Sequence, residues 1–298
     1  MPRPAAAGRP AALRLTILAL PAPIRPWIHQ MWIFESPCGL PASDLRVVVP
    51  NGRAKLIVPW RNGLTAEGGG RRRCHAEGDA VLIGQWDAPT VISSAPVPTV
   101  SIGVEFTPAG LSRFLTLPLG ELTQAIEPVG NVLGRSGDRL RRRLAEAASA
   151  EEAARVLRAF LVARCLATDR RGPGLADEAL RLMAASGYRM DVATLEARTG
   201  YSRRHLAAVF RRDVGLAPKR LGSVLAFEQL YRAFSRHGSA ERLRDDALDR
   251  FCDQSHFIRQ FRRFAGIAPG RFAELGNEFG QIFYRAPEGG PASQTSNP

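Results

Sequence analysis

Cysteine, histidine and lysine are scarce in this chain, and so are unbroken apolar runs. The four cysteines, Cys38, Cys74, Cys165 and Cys252, are scattered, with no C-x-x-C pair and no Cys/His cluster. That spacing argues against a zinc site or a disulfide framework, and lone thiols fit a reducing compartment. His29, His75 and His237 stand alone, and no H-x-H…E…H pattern links them. No nucleophile–base set, paired carboxylates or phosphate loop emerges, so neither an enzyme nor a bound metal or cofactor is expected. The apolar run from Leu15 to Ile24 is interrupted by Pro21 and Pro23. It is shorter than the ~20 residues a transmembrane helix needs. Arg3, Arg9 and Arg14 precede it as in a secretory signal, but no small-residue cleavage site follows. The expectation is a cytoplasmic protein with no membrane contact, whose first strand is Leu13–Leu20.

Positive charge is abundant. Forty-one basic residues face 28 acidic ones, giving a net charge of +13 and a pI near 10.9. Such a balance favours an anionic partner. Lys55 and Lys219 are the only lysines; arginine suits bidentate contacts to phosphate and guanine. The same usage also follows from GC-rich coding. Residues 1–170 carry +7 and the remainder +6, so charge alone does not say which half meets the anion. A hydrophobic content of 45% is ample for a core.

The pattern changes near residue 137. Before it, short β-like runs such as "LRLTILAL", "LRVVVPNGRAKLIVPW" and "TVISSAPVPTVSIGVEF" are broken by Pro and Gly. Asn51-Gly52 marks a tight turn, and Asn62-Gly63 and Glu67 to Arg73 read as loops. Residues 10–137 are therefore expected to form a β-rich sandwich or barrel-like domain. Trp27, Trp32, Trp60 and Trp86 fall in this half as core residues, with one lining a ligand pocket as the alternative. Asp138 to Ala148 and Glu151 to Ala167 carry apolar residues at helical spacing. They give a helical extension over 138–170 that ends in the linker "TDRRGPG". Residues 171–280 read as an all-α domain, and 285–298, rich in Pro, Gly and Ser, as a disordered tail.

Within the helical part, Asp191 caps a short helix ending at Arg198, Gly200 supplies a turn with positive φ, and Ser202 caps Arg203 to Asp213. Two short helices joined by a Gly-containing turn make a helix-turn-helix unit. Leu206, Val209 and Phe210 form its buried side. Arg203, Arg204, Ala207, Ala208 and Arg211 lie opposite, as a recognition helix presents side chains to a major groove. The layout recurs at 250–272. Phe251, Phe257, Phe261 and Phe264 space out as core contacts, Asp253 caps a helix from Gln254, and Gln254, Ser255, His256, Arg259 and Arg262 stay outside. "FRRDVGLAP" (210–218) and "FRRFAGIAP" (261–269) form an internal repeat. The helix between them, Pro218 to about His237, buries Leu221, Val224, Leu225, Leu230 and Phe234. It spans roughly 28 Å at ~1.5 Å per residue, against ~34 Å between successive major-groove faces. The runs "RRR" at 71–73 and 141–143 read as solvated charge.

"GYSRRHLAAVFRRDVGLAPKRL" and "CDQSHFIRQFRRFAGIAPGRF" resemble the tandem helix-turn-helix module of the AraC/XylS transcriptional regulators, over about a third of the chain. "VVVPNGRAKLIV" and "VSIGVEFTPAGLSRFLTLPLGELTQAI" resemble a β-rich N-terminal domain of some members. The resemblance implies a bacterial, sequence-specific regulator that binds double-stranded promoter DNA. Its N-terminal domain would serve as sensor of a small-molecule effector or as homodimerisation element. An activator would contact RNA polymerase; a repressor would occlude it. Base-facing positions carried over are Arg204, Ala207 and Ala208 in the first recognition helix and Gln254, Ser255, His256 and Arg259 in the second. The sequence departs from the family at Glu196 and Asp246, where a small Ala is usual, and at Arg250, where the turn Gly is usual. Ser223 and Ala226 stand where basic residues often meet phosphate. These departures leave open an alternative, a ligand-binding or protein-interaction protein whose DNA module has degenerated.

Overall fold

Alternation along the strands sets the architecture, because successive side chains of a strand point to opposite faces. In Thr99–Phe106 (β9), Ile102, Val104 and Phe106 enter one apolar cluster, while Ser101 and Glu105 face the other way. Ile28–Ser36 (β2) sends Met31 and Ile33 one way and Trp32 and Phe34 the other. Lys55–Arg61 (β4) divides Leu56 and Val58 from Lys55 and Ile57. A sheet apolar on both faces must be covered on both.

The computed structural model describes residues 13–41, 45–168, 172–237, 254–285 and 293–295. Arg14–Leu18 (β1), Val81–Ile83 (β7), Ile126–Pro128 (β10) and Ser293–Thr295 (β11) join the strands above. The resulting antiparallel sheet has the order β10-β7-β4-β9-β2-β1-β11. Val47–Val48 (β3), Leu64–Gly68 (β5), Arg71–His75 (β6) and Thr90–Ser93 (β8) form a second sheet of order β3-β8-β5-β6. The outer face of the larger sheet is covered by Val129–Leu133 (α1), Arg135–Ala145 (α2) and Ala150–Ala167 (α3). Leu140, Leu144, Leu157 and Leu161 join Met31, Leu56 and Val104 there.

The C-terminal region is all-α among the described residues up to Arg285. It comprises Leu175–Ala185 (α4), Val192–Thr199 (α5), Arg203–Asp213 (α6), Pro218–His237 (α7), Gln254–Ala265 (α8), Pro269–Leu275 (α9) and Glu278–Arg285 (α10). The first half of α7 packs with α4 to α6 around Leu195, Leu206 and Phe210. Its second half packs with α8 and α9 around Phe227, Tyr231, Phe261 and Phe272. Val47 and Val49 from the β region enter this second cluster, so the two regions share apolar packing.

Four expectations are corrected. Glu67 to Arg73 is no loop but the turn of the β5–β6 hairpin. Gly69 and Gly70, at φ +59 and +72, supply the two consecutive positive φ values a two-residue hairpin needs. Asn51-Gly52 joins strands of different sheets rather than a hairpin: β3 pairs with β8, and β4 with β7 and β9. Gly52 adopts φ +67, and a Cβ there would lie 2.7 Å from Leu225 on α7. The first expected helix of the extension, α2, starts at Arg135, not Asp138, directly after Gly134 at φ +55. In the tail read as disordered, Ser293–Thr295 pairs with β1, closing unpaired edge N–H and C=O groups.

Candidate nucleic-acid interface and an interior cavity

The unit formed by α5, the Gly200 turn and α6 is closed by local hydrogen bonds. Asp191 Oδ1 accepts from the Thr194 N–H at 2.7 Å and caps α5. Gly200 ends α5 at φ +73, and Ser202 Oγ accepts from the His205 N–H at 3.3 Å to cap α6. Glu196 reaches across the turn, and its carboxylate accepts from the backbone N–H of Arg203. A carboxylate there satisfies an orphan donor and meets the positive end of the helix dipole. This departure from the family pattern thus serves the N-terminus of α6. Leu206, Val209 and Phe210 are buried. Arg203, Arg204, Ala208 and Arg211 are exposed, and Ala207 is half-buried. The stem of Arg211 lies against Gly120, in the 3-10 turn Leu119–Leu122 of the β region.

Helix α8 begins at Gln254. Phe257, Phe261 and Phe264 are buried; Ser255, Arg259 and Arg262 are exposed. Gln254 and His256 sit in the first turn, but their side chains lie outside the described residues, as do Asp246, Arg250, Phe251 and Asp253 and the side chain of Phe234. Arg203, Arg204, Arg259 and Arg262 form no ion pair among the described residues, which leaves their guanidinium groups available to an anion. Ser223 and Ala226 are half-buried along α7.

Other charged side chains of the helical region are tied to the β region. Asp87, 5% exposed, pairs with Arg220 of α7 and, at 3.4 Å, with Arg263 of α8, and accepts from Gln124 Nε2 at 2.8 Å. Burial alone would raise its pKa. The hydrogen bonds from Arg220 and Gln124 and the charges of Arg220 and Arg263 outweigh that and hold it below the ordinary Asp value. Arg53 meets Glu228 of α7 at 3.2 Å, and Arg232 meets the same carboxylate at 2.7 Å. Arg113 stacks on the Trp27 ring at 4.1 Å and bridges to Asp177 of α4 at 3.0 Å. Asn277, just before α10, accepts from the Val47 N–H at 2.9 Å, donates to the Val47 carbonyl at 2.7 Å, and donates to Tyr231 Oη at 2.9 Å.

Between the two sheets and α10 lies a cavity of about 140 Å³. Trp32, Trp86, Ile57, Val81, Phe279 and Phe283 give it apolar walls. Gly103 makes room for Trp32: a Cβ at Gly103 would stand 2.1 Å from the indole. At the polar end, Lys55 pairs with Glu105 at 3.8 Å and donates to Asn51 Oδ1 at 3.1 Å. Burial lowers the Lys55 pKa, with Glu105 opposing. Burial would raise Glu105, but Lys55 and Arg53 hold it below the usual carboxylate range. Trp32 Nε1, Trp86 Nε1, His75 Nε2 and Ser101 Oγ all belong to lining residues and are buried with no hydrogen-bond partner among the described residues.

Sequence reasoning missed most of this cavity. Alternation along β9 would have placed Ser101 and Glu105 opposite the core face. No comparable signal pointed to His75, in a segment read as a loop at its start, or to Phe279 and Phe283, on a helix not anticipated. Among the described residues no group of three His, Cys, Asp or Glu side chains is placed to hold a metal, and no helix is long and apolar enough to cross a membrane.

Residues 19–128 match a family described as a domain of unknown function, DUF6597. No curated protein matches the chain. Solved structures give distant likenesses. ToxT from Vibrio cholerae is 8% identical, covering 83% of this chain and 98% of that one with a TM-score of 0.47. Wild-type ToxT bound to an unsaturated fatty acid is 9% identical, covering 82% and 95% with a TM-score of 0.46. The AraC-like transcriptional activator CuxR is 15% identical, covering 75% and 86% with a TM-score of 0.27. The functional reading rests on the residues of this chain.

Proposed function

We propose that the protein is a cytoplasmic, sequence-specific DNA-binding transcriptional regulator and not an enzyme. The observation that carries this is the internal repeat. Both α6 and α8 bury a Phe-centred stripe and expose arginines, Arg203 and Arg204 on the one and Arg259 and Arg262 on the other, that form no ion pair among the described residues. Arg204, Ala207 and Ala208 on α6 and Gln254, Ser255, His256 and Arg259 on α8 face the bases in this reading. Arg203, Arg211 and Arg262 flank them toward phosphate. Arg259 is suited to guanine O6/N7 and Gln254 to adenine N6/N7, whereas the alanines read a thymine methyl or shape. The β region is the sensor of a small-molecule effector, and its contacts through Asp87, Arg53 and Asn277 carry the state of the cavity to α7 and α8. Self-association through the β region and contact with RNA polymerase belong to the same reading.

The test is selection of bound duplexes from a random pool by the full chain at ~150 mM salt, followed by titration of wild type and Arg259→Ala. One enriched motif spanning two major grooves, relaxed at one base pair by Arg259→Ala with a loss of ~1–3 kcal/mol, is the expected result. Salt-sensitive binding with no enriched motif would favour the alternative of a ligand-binding or protein-interaction protein.

A further inference from the structure

The arginine run at 71–73, read from the sequence as solvated charge, lies beside the end of α8. Strands β5 and β6 form a hairpin, and β6 is the edge strand of its sheet. The hairpin turn rests on Trp86: a Cβ at Gly68 would stand 3.2 Å from the indole, and one at Gly69 3.7 Å. The next residue, Asp87, holds Arg220 of α7 and Arg263 of α8. Pro89 joins the two sides. Its carbonyl lies 3.3 Å from the Cβ position of Gly68, and its ring lies 3.5 Å from that of Gly266, the residue that follows α8. The hairpin turn and the C-terminal end of α8 therefore flank one proline.

The charge of the turn is largely unmatched. Arg73 is half-buried, with its guanidinium 5.7 Å from the centre of the Trp86 ring. Arg71 and Arg72 are exposed, and Arg71 forms no ion pair among the described residues. Arg72 meets Glu67 at 3.5 Å, with 69% and 52% of the two side chains exposed; so open a pair holds its arginine weakly. Glu67 is the sole carboxylate of the hairpin. Nothing lies within 4 Å of a Cβ built on Gly70, so the tip is open to a partner. Charge on an edge strand also deters pairing with another chain. That need asks only for charge on the strand, not for its place beside the exposed Arg262 and Arg263 of α8. An acidic segment added to β6 would use the strand edge alone, whereas a duplex lying along α8 meets the arginines of the helix and of the tip together.

We propose that the β5–β6 tip is a wing of the DNA interface, in which Arg71 and Arg72 contact the phosphate backbone flanking the segment that α8 reads. The proposal rests on the regulator reading above. Arg73 and the glycines at 68 and 69 seat the tip on Trp86, and the two exposed arginines supply the contacts. Phosphate contacts fix register and carry no sequence information, so the wing adds affinity and salt dependence and leaves base preference unchanged. It also brings the β region itself into contact with DNA.

The experiment titrates the full chain with two duplexes across a salt series. One ends at the edge of the selected motif on the α8 side; the other extends about 10 base pairs further, one helical turn. On the longer duplex, Arg71→Ala/Arg72→Ala should lower the slope of log K against log salt by about 1–2, one unit per lost phosphate contact. On the shorter duplex it should match wild type, and the selected motif should stay the same. Arg71→Lys/Arg72→Lys should keep the wild-type slope, because the charge is kept. Arg141→Ala/Arg142→Ala, an equal loss of exposed charge on α2, should change neither duplex. An unchanged slope for the hairpin variant on the longer duplex overturns the proposal and leaves the regulator reading intact. Equal losses on both duplexes, or the same loss in the α2 variant, overturn it in favour of a general field of charge. Binding of a polyglutamate peptide that the hairpin variant loses, with its DNA slope unchanged, overturns it in favour of an acidic protein partner. DNA binding without an enriched motif, its slope still lowered in the hairpin variant, would overturn the sequence-specific reading and uphold the hairpin contact. No DNA binding by wild type overturns both.

Discussion

Asp87 Oδ2, in the loop between β7 and β8, lies 3.4 Å from Arg263 Nη2 at the C-terminal end of α8, and the same oxygen accepts from Arg220 at the start of α7. One carboxylate of the β region thus neutralises arginines from two helices of the proposed DNA module. Asp87→Asn should release both to solvent and phosphate. Two freed cations would steepen the dependence of log K on log salt by about 1–2 and tighten DNA binding at low salt. The same change should cost about 1–2 kcal/mol of stability, between the values for exposed and buried pairs, because both arginines are half-exposed. Because the folded-state pKa of Asp87 is lowered, wild type holds this stabilisation above the ordinary Asp pKa and loses it as pH falls through the lowered value. Fluorescence anisotropy across a salt series checks the first expectation; an unchanged salt slope contradicts it.

His29 gives a second window of pH dependence. Burial first, then the positive charge of Arg53, lower its pKa from 6.5 to about 4. The folded state therefore keeps it neutral where the unfolded chain takes up a proton. Stability should fall as pH drops from about 6.5 to about 4 and level off below, by at most about 3 kcal/mol from this residue. Denaturant unfolding of wild type and His29→Gln between pH 7 and pH 4 measures it. The variant should show a flatter profile, and parallel profiles would exclude His29 as the source.

The two regions were legible to different depths for physical reasons. Helix α6 was readable residue by residue: Ser202, Gly200 and the Leu206/Val209/Phe210 stripe are local signals, and capping and periodicity act over a few residues. The β-rich character of the first half was equally readable from alternation. The cavity was not, because it depends on contacts far apart in the chain. Phe34 meets Phe279 at 5.4 Å, and nothing near either residue announces the other. Glu196 shows the intermediate case. Its departure from the family pattern was visible, but its role lies in a contact between helices, since a side chain that leaves its own helix to cap the next carries no periodic signature. Glu196→Ala should cost about 1 kcal/mol through the lost cap, measured by thermal unfolding. A stabilised variant would instead show that Glu196 weakens the packing of α5 on α6 by more than its cap contributes.

Gly103 and Trp32 form a pair whose coupling is measurable. The indole lies flat over Gly103, where any Cβ would overlap the ring. Gly103→Ala should therefore cost about 2–3 kcal/mol by forced repacking. In a Trp32→Leu background the same change should cost at least 1 kcal/mol less, since the overlapping atoms are gone. Additive costs in this cycle would mean that Trp32 moves freely, and that the cavity lacks a fixed wall.

Asn277 offers the sharpest test of communication between cavity and DNA module. It is 1% exposed and replaces a missing strand partner for Val47, while its amide also reaches Tyr231 on α7. Helix α10, which carries Phe279 and Phe283, begins at the next residue. Asn277→Ala removes the partner of the Val47 N–H and carbonyl and one hydrogen bond to the Tyr231 hydroxyl, at a cost of about 2–4 kcal/mol. Folded protein should remain, because Phe279, Ile282 and Tyr284 still bury the apolar side of α10. If α10 carries the state of the cavity to α7, this variant keeps its affinity for DNA and for an effector in the cavity separately but loses the effect of one on the other. Coupling free energies are reciprocal, so the loss must show both in DNA titrations with ligand and in ligand titrations with DNA. Undiminished coupling in Asn277→Ala would move the connection from α10 to the ion pairs at Asp87 and Arg53.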